Sequence, residues 1–252
     1  LGCVKEVWPV GRWNGFSMQG LVGTCWMVAA ALCYGTMNIA AKLGTSHLSV
    51  WQTAMGRFAL GIALIPFLAR LFHLDLLGRE RWFLLARGVS GTLGFVLVIQ
   101  AYKLIPLSVA MVLFYLWPVF SCLLSPWVAG EPTGKREWPF VAGALLGTAL
   151  ILWPDRTGPG LSVGHFLALS ASFFTGFAVI IIRRVRRVNN PFTIYFYFCM
   201  TGGVLSLGPL LTQGQPIAPV SETGWMLLSA VALFAMVGQL LMNHGMKYLP
   251  AS

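Results

Sequence analysis

The chain has 252 residues, a formal net charge of +10, and a composition that is 57% hydrophobic and only 10% charged. Soluble domains typically carry about 25% charged residues, so this composition excludes an ordinary soluble protein and indicates a membrane protein. The basic residues lie in short groups between long apolar runs, not in one patch. This pattern is typical of membrane loops and excludes a nucleic-acid partner.

Eight apolar segments approach the length of about 20 residues that a helix needs to cross a bilayer. We predict spanning helices over residues 18–43, 50–71, 82–102, 106–127, 138–153, 163–182, 191–211 and 224–248. The fifth is the shortest, and all the connecting segments are brief. The sequence therefore predicts an all-α, polytopic bundle of membrane helices without a soluble domain.

The basic residues also predict an orientation. If residues 1–17 are a cytoplasmic N-terminal segment, the outside holds only Lys42, Lys103 and Arg156, and Arg57 falls within a span. Every other lysine and arginine then lies inside, as the positive-inside rule requires. We expect an integral, multi-pass protein of the bacterial inner (plasma) membrane, surrounded by lipid. Whether two copies form a homodimer is left open.

A short motif occurs twice at the junction between two predicted spans. The segment AYKLIPLS at 101–108 recurs as GMKYLPAS at 245–252, after an offset that contains five spans. An odd number of spans places two copies in opposite orientations, which is the inverted repeat of many secondary transporters. We predict a first five-helix repeat over 18–156 and a second over 163–252 that is incomplete, with three helices. Two more spans would make ten in the full protein, eight of them present here.

Several loose motifs occur in an order and spacing that resemble the EamA-type repeat of the drug/metabolite transporter superfamily. They are Arg57-Phe58, RGVSG at 87–91, AYKLIPLS at 101–108, Pro118, Gly130-Glu131, Gly238-Gln239 and KYLPA at 247–251. The resemblance implies a ten-helix transporter of metabolites, amino acids or drugs, with both termini in the cytoplasm. It also implies that the two missing helices would help to line the central cavity.

Arg57 is the first candidate for a functional residue because a charge inside a span is costly and is often functional. All seven acidic residues fall in predicted loops or termini, so no carboxylate is expected at its depth. Arg57 either extends its charge towards the interface or a neighbouring helix, or faces a cavity and attracts an anionic substrate group. The absence of an acidic residue from the spans also argues against proton coupling through a membrane glutamate.

A second group of candidates consists of uncharged polar residues within spans. Gln100 and His244 occupy equivalent places in the two repeats, and Gln239 and Asn243 share a helix face near His244 because they are four residues apart. Asn38 lies in the first span. Such side chains either form hydrogen bonds between helices or line a substrate cavity at the repeat interface.

Aromatic residues flank a proline in the fourth span. Pro118 is expected to kink that helix, because proline removes one backbone hydrogen bond. Tyr115 and Trp117 beside the kink either shape a gate or cavity wall, or pack against lipid. Two sets of glycines, Gly88/Gly91/Gly94 and Gly143/Gly147, are expected to let neighbouring helices approach closely.

These features favour a secondary transporter that moves a small metabolite, such as an amino acid, an organic acid or a drug-like compound, by alternating access. A non-transporting membrane scaffold or a channel is the alternative, although no filter or charged ring is evident. We predict no enzyme activity, because the four histidines are scattered and do not form a cluster with acidic residues. No catalytic residue, metal site or cofactor is predicted.

Overall fold

The computed structural model describes residues 18–73, 75–128, 138–151, 162–212 and 221–245. All regular structure in this part of the chain is α-helical, which confirms the predicted fold class. The helices are α1 (Met18–Gly44), α2 (Val50–Leu71), α3 (Arg81–Leu104), α4 (Leu107–Phe114), α5 (Trp117–Val128), α6 (Trp138–Ile151), α7 (Val163–Val185), α8 (Pro191–Thr212) and α9 (Glu222–Gly245).

The described helices have the length and composition of membrane spans. Seven stretches are long and apolar enough to cross a bilayer, with α4 and α5 forming one of them, and α6 contributes a shorter apolar helix over Val141–Leu150. The predicted and observed helix ends differ by no more than three residues wherever the structure describes them. The last residues of the fifth and eighth predicted spans lie outside the described residues.

Helix α2 shows how the sequence sets an element and its packing. Ser49 and Gln52 form a capping box, in which the Ser49 hydroxyl accepts from the Gln52 amide and the Gln52 side chain accepts from the Ser49 amide. This pairing satisfies free amides of the first turn and starts the helix at Val50. Further along, Gly202 of α8 faces Phe58, so closely that an added Cβ would lie 2.5 Å from the ring. The glycine therefore permits the contact between α2 and α8.

The ends of α1 and α7 lie at opposite ends of α3. Lys42, in the last turn of α1, donates to the carbonyl of Ile105, which follows α3. Arg184, in the last turn of α7, pairs instead with Glu80, which precedes α3, at 3.2 Å. The first helices of the two predicted repeats therefore run in opposite directions. This is the arrangement that an inverted repeat requires.

The packing of the helices follows the same symmetry. Helix α3 packs along α7, and α9 packs along α1, so the third helix of each repeat lies on the first helix of the other. The second helices, α2 and α8, pack against each other, and each also contacts the third helix of the opposite repeat. Helices α2 and α8 consequently form a contact at which both repeats meet.

The fourth span is broken between α4 and α5. Helix α4 ends at Phe114 and α5 begins at Trp117, with Tyr115 and Leu116 between them. Pro118 lies in the first turn of α5, and it has no amide hydrogen to donate to the carbonyl of Phe114. The predicted kink at this proline is therefore confirmed as a short interruption of the helix.

The glycines divide into two groups. An added Cβ would lie 1.9 Å from the Thr201 hydroxyl at Gly88 and 2.6 Å from the Thr175 hydroxyl at Gly94, so both positions hold α3 close to a neighbouring helix as predicted. Among the described residues, an added Cβ at Gly143 or Gly147 would meet nothing within 4 Å. The predicted close helix contact at these two glycines is therefore not made by any described residue.

Candidate functional site

Two buried arginines meet at one aromatic ring in the centre of the bundle. Arg57 of α2 is 5% exposed, and its guanidinium carbon lies 4.1 Å from the ring centre of Phe95 and 5.3 Å from that of Phe198. Arg87 of α3 is 4% exposed and lies 4.2 Å from the Phe198 ring centre. Phe198 belongs to α8, so this cluster joins both repeats. The negative faces of the rings attract the two cations.

The ring contacts do not neutralise the two charges. Both guanidinium carbons lie close to the Phe198 ring, so they are no more than about 10 Å apart. At an effective dielectric constant of about 20, two like charges at that distance repel by roughly 1.7 kcal/mol. In the part of the chain that the structure describes, the single ion pair is that of Arg184 with Glu80. The described interior therefore carries two positive charges without a carboxylate partner.

Several hydrogen-bond donors of these arginines also have no acceptor. The Nε atoms of Arg57 and Arg87 and the Nη1 atom of Arg87 are buried and form no hydrogen bond with any described residue. Leaving a buried donor unsatisfied costs free energy, and the cost is larger for a charged group. Three donors of the two arginines therefore stay unsatisfied in the described part of the chain.

Gly91 provides the space for the Arg87 guanidinium. A Cβ atom at Gly91 would lie 2.0 Å from Nη1 of Arg87 and 3.0 Å from the ring of Phe198. The predicted role of Gly91, a close approach between helices, thus applies only in part, because its nearest neighbour is a side chain of its own helix. The glycine positions the arginine against Phe198.

A chain of uncharged polar groups lies between α1 and α9. The Tyr34 hydroxyl donates to Oε1 of Gln239 at 3.0 Å, and Nε2 of Gln239 donates to Oδ1 of Asn243 at 3.1 Å. The Asn243 amide in turn faces the carbonyl of Pro191 at the start of α8. This chain therefore extends from the middle of α1 to the start of α8, near the end of α9.

A separate polar contact lies one turn further along α1. The Tyr102 hydroxyl donates to Oδ1 of Asn38 at 3.0 Å and also lies 3.0 Å from the sulfur of Met111. Both Asn38 and Tyr102 are buried. The Asn38 side chain therefore has a hydrogen-bond partner on α3, as expected for a residue that joins two helices.

The loop between α2 and α3 is hydrogen-bonded to the loop between α7 and α8, and we call this contact the loop lock. The Asn189 side chain accepts from the Arg79 amide at 2.6 Å and donates to the Arg79 carbonyl at 2.9 Å. Asn190 donates to the Asp75 carbonyl at 3.1 Å, and the Tyr197 hydroxyl donates to the Leu77 carbonyl at 2.9 Å. The lock therefore holds the two repeats together at one end of the bundle.

The structure brings only some of the predicted site residues together. Asn38, Arg57, Gln239 and Asn243 are buried in the helix interfaces described above. Gln100 and Tyr115 are exposed, Trp117 is half-buried, and His244 packs edge-to-face on Trp26 with ring centres 5.1 Å apart. The predicted equivalence of Gln100 and His244 therefore does not extend to their surroundings.

Arg87 is the residue that sequence reasoning missed. It was counted with the cytoplasmic basic residues, since it follows Arg79 and Arg81 closely in the chain. In the structure it is six residues into α3, which places it about 9 Å along the helix axis. That distance from the helix end could have marked it as an intramembrane charge.

Known proteins show which family this arrangement belongs to. The model of the EamA-like transporter family matches residues 21–153 and again residues 162–252. These two matches together cover most of the chain. A solved crystal structure shares the fold, with a TM-score of 0.66 and 21% identity over 92% of this chain and 80% of its own.

Three curated relatives are transporters or exporters of small molecules. The pseudopaline exporter CntI of Pseudomonas aeruginosa (strain UCBPP-PA14) is 26% identical over 90% of this chain and 78% of its own length. The riboflavin transporter of Rhizobium johnstonii is 25% identical over 86% and 73%, respectively. The aromatic amino acid exporter YddG of Ancylobacter novellus is 31% identical over 59% of this chain and 52% of its own.

Proposed function

The chain belongs to the EamA-like transporter family, and from this premise we propose that it is a secondary carrier that moves a small metabolite by alternating access. The observation that carries the proposal is the inverted packing of the repeats around α2 and α8, with buried polar groups where they meet. Substrate sites of inverted-repeat carriers lie at such interfaces near the middle of the bilayer.

The loop lock supplies a candidate for the closed side of this carrier. Its hydrogen bonds join a loop of the first repeat to a loop of the second, at the end of α3 that lies nearer to Arg87. Breaking them would let the repeats separate at that end, as one half of an alternating-access cycle requires. By the positive-inside rule the lock faces the cytoplasm of a bacterial cell.

The substrates named for the relatives support a metabolite carrier, since pseudopaline, riboflavin and aromatic amino acids are all small organic molecules. We propose an amino acid, an organic acid or a drug-like compound as the class of substrate for this chain. The alternative, a non-transporting scaffold or channel, has no filter or charged ring in its favour among the described residues.

Reconstitution in proteoliposomes tests the proposal. We expect the purified chain to exchange radiolabelled metabolites across the membrane, and an excess of the same unlabelled metabolite inside to accelerate uptake. Such counterflow is the signature of a carrier, because a channel gives no acceleration. If no metabolite of a broad panel containing acids, bases and neutral compounds shows counterflow, the carrier assignment is wrong.

A further inference from the structure

We propose that Arg57 and Arg87 jointly bind the oxyanion of the transported molecule, so that the substrate is a small organic anion with a carboxylate or phosphate group. The inference rests on the proposed function, because it names the substrate class of the same site. It goes beyond a single charged residue in a span, since it needs both guanidinium groups, which lie close to the same ring, that of Phe198.

The first argument is the unsatisfied chemistry of the pair. A guanidinium presents five N–H donors in a fixed plane, and a ring face can balance part of its charge but accepts few of its hydrogens. Nε of Arg57 and both Nε and Nη1 of Arg87 are buried without an acceptor among the described residues. A carboxylate or phosphate accepts paired N–H groups from arginine, often two at once. Such a group therefore supplies the hydrogen-bond acceptors that the unpaired N–H donors of both arginines lack.

The second argument is that two like charges lie together. One buried arginine stacked on Phe95 is compatible with a purely structural role. A second arginine at the same ring adds repulsion, which packing alone does not require, because apolar residues of similar volume would fill the space as well or better. An anion between the arginines turns this repulsion into two attractions. Charge of one sign concentrated in a low-dielectric interior also attracts ligands of the opposite sign.

The third argument is the location of the pair. Arg57 and Arg87 come from α2 and α3 of the first repeat, whereas Phe198 comes from α8 of the second. The site consequently changes shape when the repeats move relative to each other. Gly91 keeps the space around the Arg87 guanidinium free of a Cβ atom.

Binding measured in detergent tests the inference separately from transport. The probes are succinate and benzoate as carboxylates, glycerol 3-phosphate as a phosphate ester, and succinamide as a neutral analogue, all at one ionic strength. We expect at least one anionic probe to raise the melting temperature of the full chain, and succinamide to leave it unchanged. The site prefers carboxylate if a carboxylate probe raises the melting temperature more, and phosphate if glycerol 3-phosphate does.

The variants Arg57→Gln and Arg87→Gln remove one charge each. We expect each to weaken anion binding by about tenfold or more, as the loss of a charge-assisted hydrogen bond implies. Gly91→Ala, which displaces the Arg87 guanidinium without changing the charge, should weaken it as well. The matched control is Arg70→Gln, an exposed arginine near the end of α2, which should bind as the unmodified chain does.

Each outcome decides between the two proposals. Anion binding that is unchanged in both arginine variants, or absent for every anionic probe in the unmodified chain, overturns the anion site. If an arginine variant is no longer folded and monodisperse, it is replaced in the comparison. The replacements are Arg57→Lys, which keeps the charge, and Gly91→Ala. If neutral or basic metabolites show counterflow and no anion binds, the protein is a carrier with another substrate class. If an anion binds but no metabolite shows counterflow, the anion site is retained and the carrier assignment is wrong.

Discussion

Lys42 and Arg186 lie 144 residues apart, at the offset that separates the two copies of the repeated motif, and both cap the end of a third helix. The Lys42 ammonium donates to the carbonyls of Tyr102 and Ile105 at the end of α3, the latter at 3.2 Å. The Arg186 Nε donates to the carbonyl of Asn243 near the end of α9 at 3.4 Å. Each repeat therefore uses a cation at the end of its first helix to satisfy carbonyls of its third.

This symmetry predicts a stabilising role for both cations. Free carbonyls at a helix C-terminus carry partial negative charge, so a cation there is worth up to about 2 kcal/mol when partly buried. We expect Lys42→Met to lower the free energy of unfolding by about 1–2 kcal/mol, whereas Lys103→Met, at an exposed lysine of the same region, changes it little. Thermal unfolding in detergent measures the difference, and equal effects of the two variants would contradict the capping role.

Arg186 allows a corresponding prediction at the opposite end of the bundle. It also donates to the Asn189 carbonyl at 3.1 Å, and partial burial lowers the pKa of its guanidinium from the usual value. Arg186→Met should destabilise the chain more than Arg183→Met, since Arg183 is exposed. The two variants remove the same charge from the same turn of chain, so their difference in melting temperature isolates the contacts of Arg186. Equal melting temperatures of the two variants would mean that the contacts of Arg186, which mirror those of Lys42, do not stabilise the fold.

The two buried arginines predict a conflict between stability and function. Arg87→Met removes one of two like charges and the two Arg87 donors that lack acceptors, so we expect the free energy of unfolding to rise by about 1–2 kcal/mol. Transport should fall to background in the same variant. In a double-mutant cycle, Arg57→Met should stabilise the Arg87→Met variant less than it stabilises the unmodified chain. The reason is that Arg87→Met has already removed the repulsion between the two arginines. A strongly destabilised Arg87→Met would indicate that the stacking on Phe198 is the main contribution.

The glycines provide a matched pair of substitutions. Gly88→Ala would place a Cβ 1.9 Å from the Thr201 hydroxyl and 2.9 Å from its Cβ, and a branched side chain cannot easily move away. We expect a loss of about 1–3 kcal/mol, typical of overpacking. Gly143→Ala meets nothing among the described residues and should be neutral or stabilising by up to about 1 kcal/mol, from helix propensity. Unfolding in denaturant compares them, and the reverse order would contradict the helix packing described here.

The fold was largely predictable because lipid leaves the backbone few alternatives. A chain without water to satisfy its amides must form helices, so the lengths of the apolar runs largely determine where helices begin and end. The break before Pro118 followed from its missing amide hydrogen. The internal repeat and its inversion followed from the count of spans between the two motifs.

The site was less predictable because it depends on the rotation of each helix about its own axis. Gln100 and its repeat-equivalent, His244, have the same place in the sequence pattern, yet Gln100 is exposed and His244 packs on Trp26. A single sequence gives the position of a polar residue along the helix but not which neighbour it faces. Arg87 was missed for a related reason, since a charge near a helix end resembles a loop residue until the packing of α3 on α8 buries it.

The loop lock leads to a prediction about access to the centre of the bundle. Asn189 is buried and bonds both backbone groups of Arg79 and the carbonyl of Val185, so Asn189→Ala removes three hydrogen bonds from one face. In a chain whose other cysteines are replaced by alanine, Cys199 is a buried reporter on α8. We expect Asn189→Ala to increase the rate at which a water-soluble maleimide labels Cys199 by about 5- to 30-fold, since the free energy of opening falls by about 1–2 kcal/mol.

The side of access makes this test specific. In sealed vesicles, labelling of the Asn189→Ala variant should increase only for reagent applied on the face that carries the lock, because the opposite end of the bundle is unaffected. Ser46→Ala is the control, since Ser46 is exposed in the loop between α1 and α2 and bonds only the carbonyl of Leu43 within the contacts described. Faster labelling from both faces would indicate general loosening of the fold. Unchanged labelling would mean that the lock does not limit access, and the closed side of the carrier would have to be formed by other contacts.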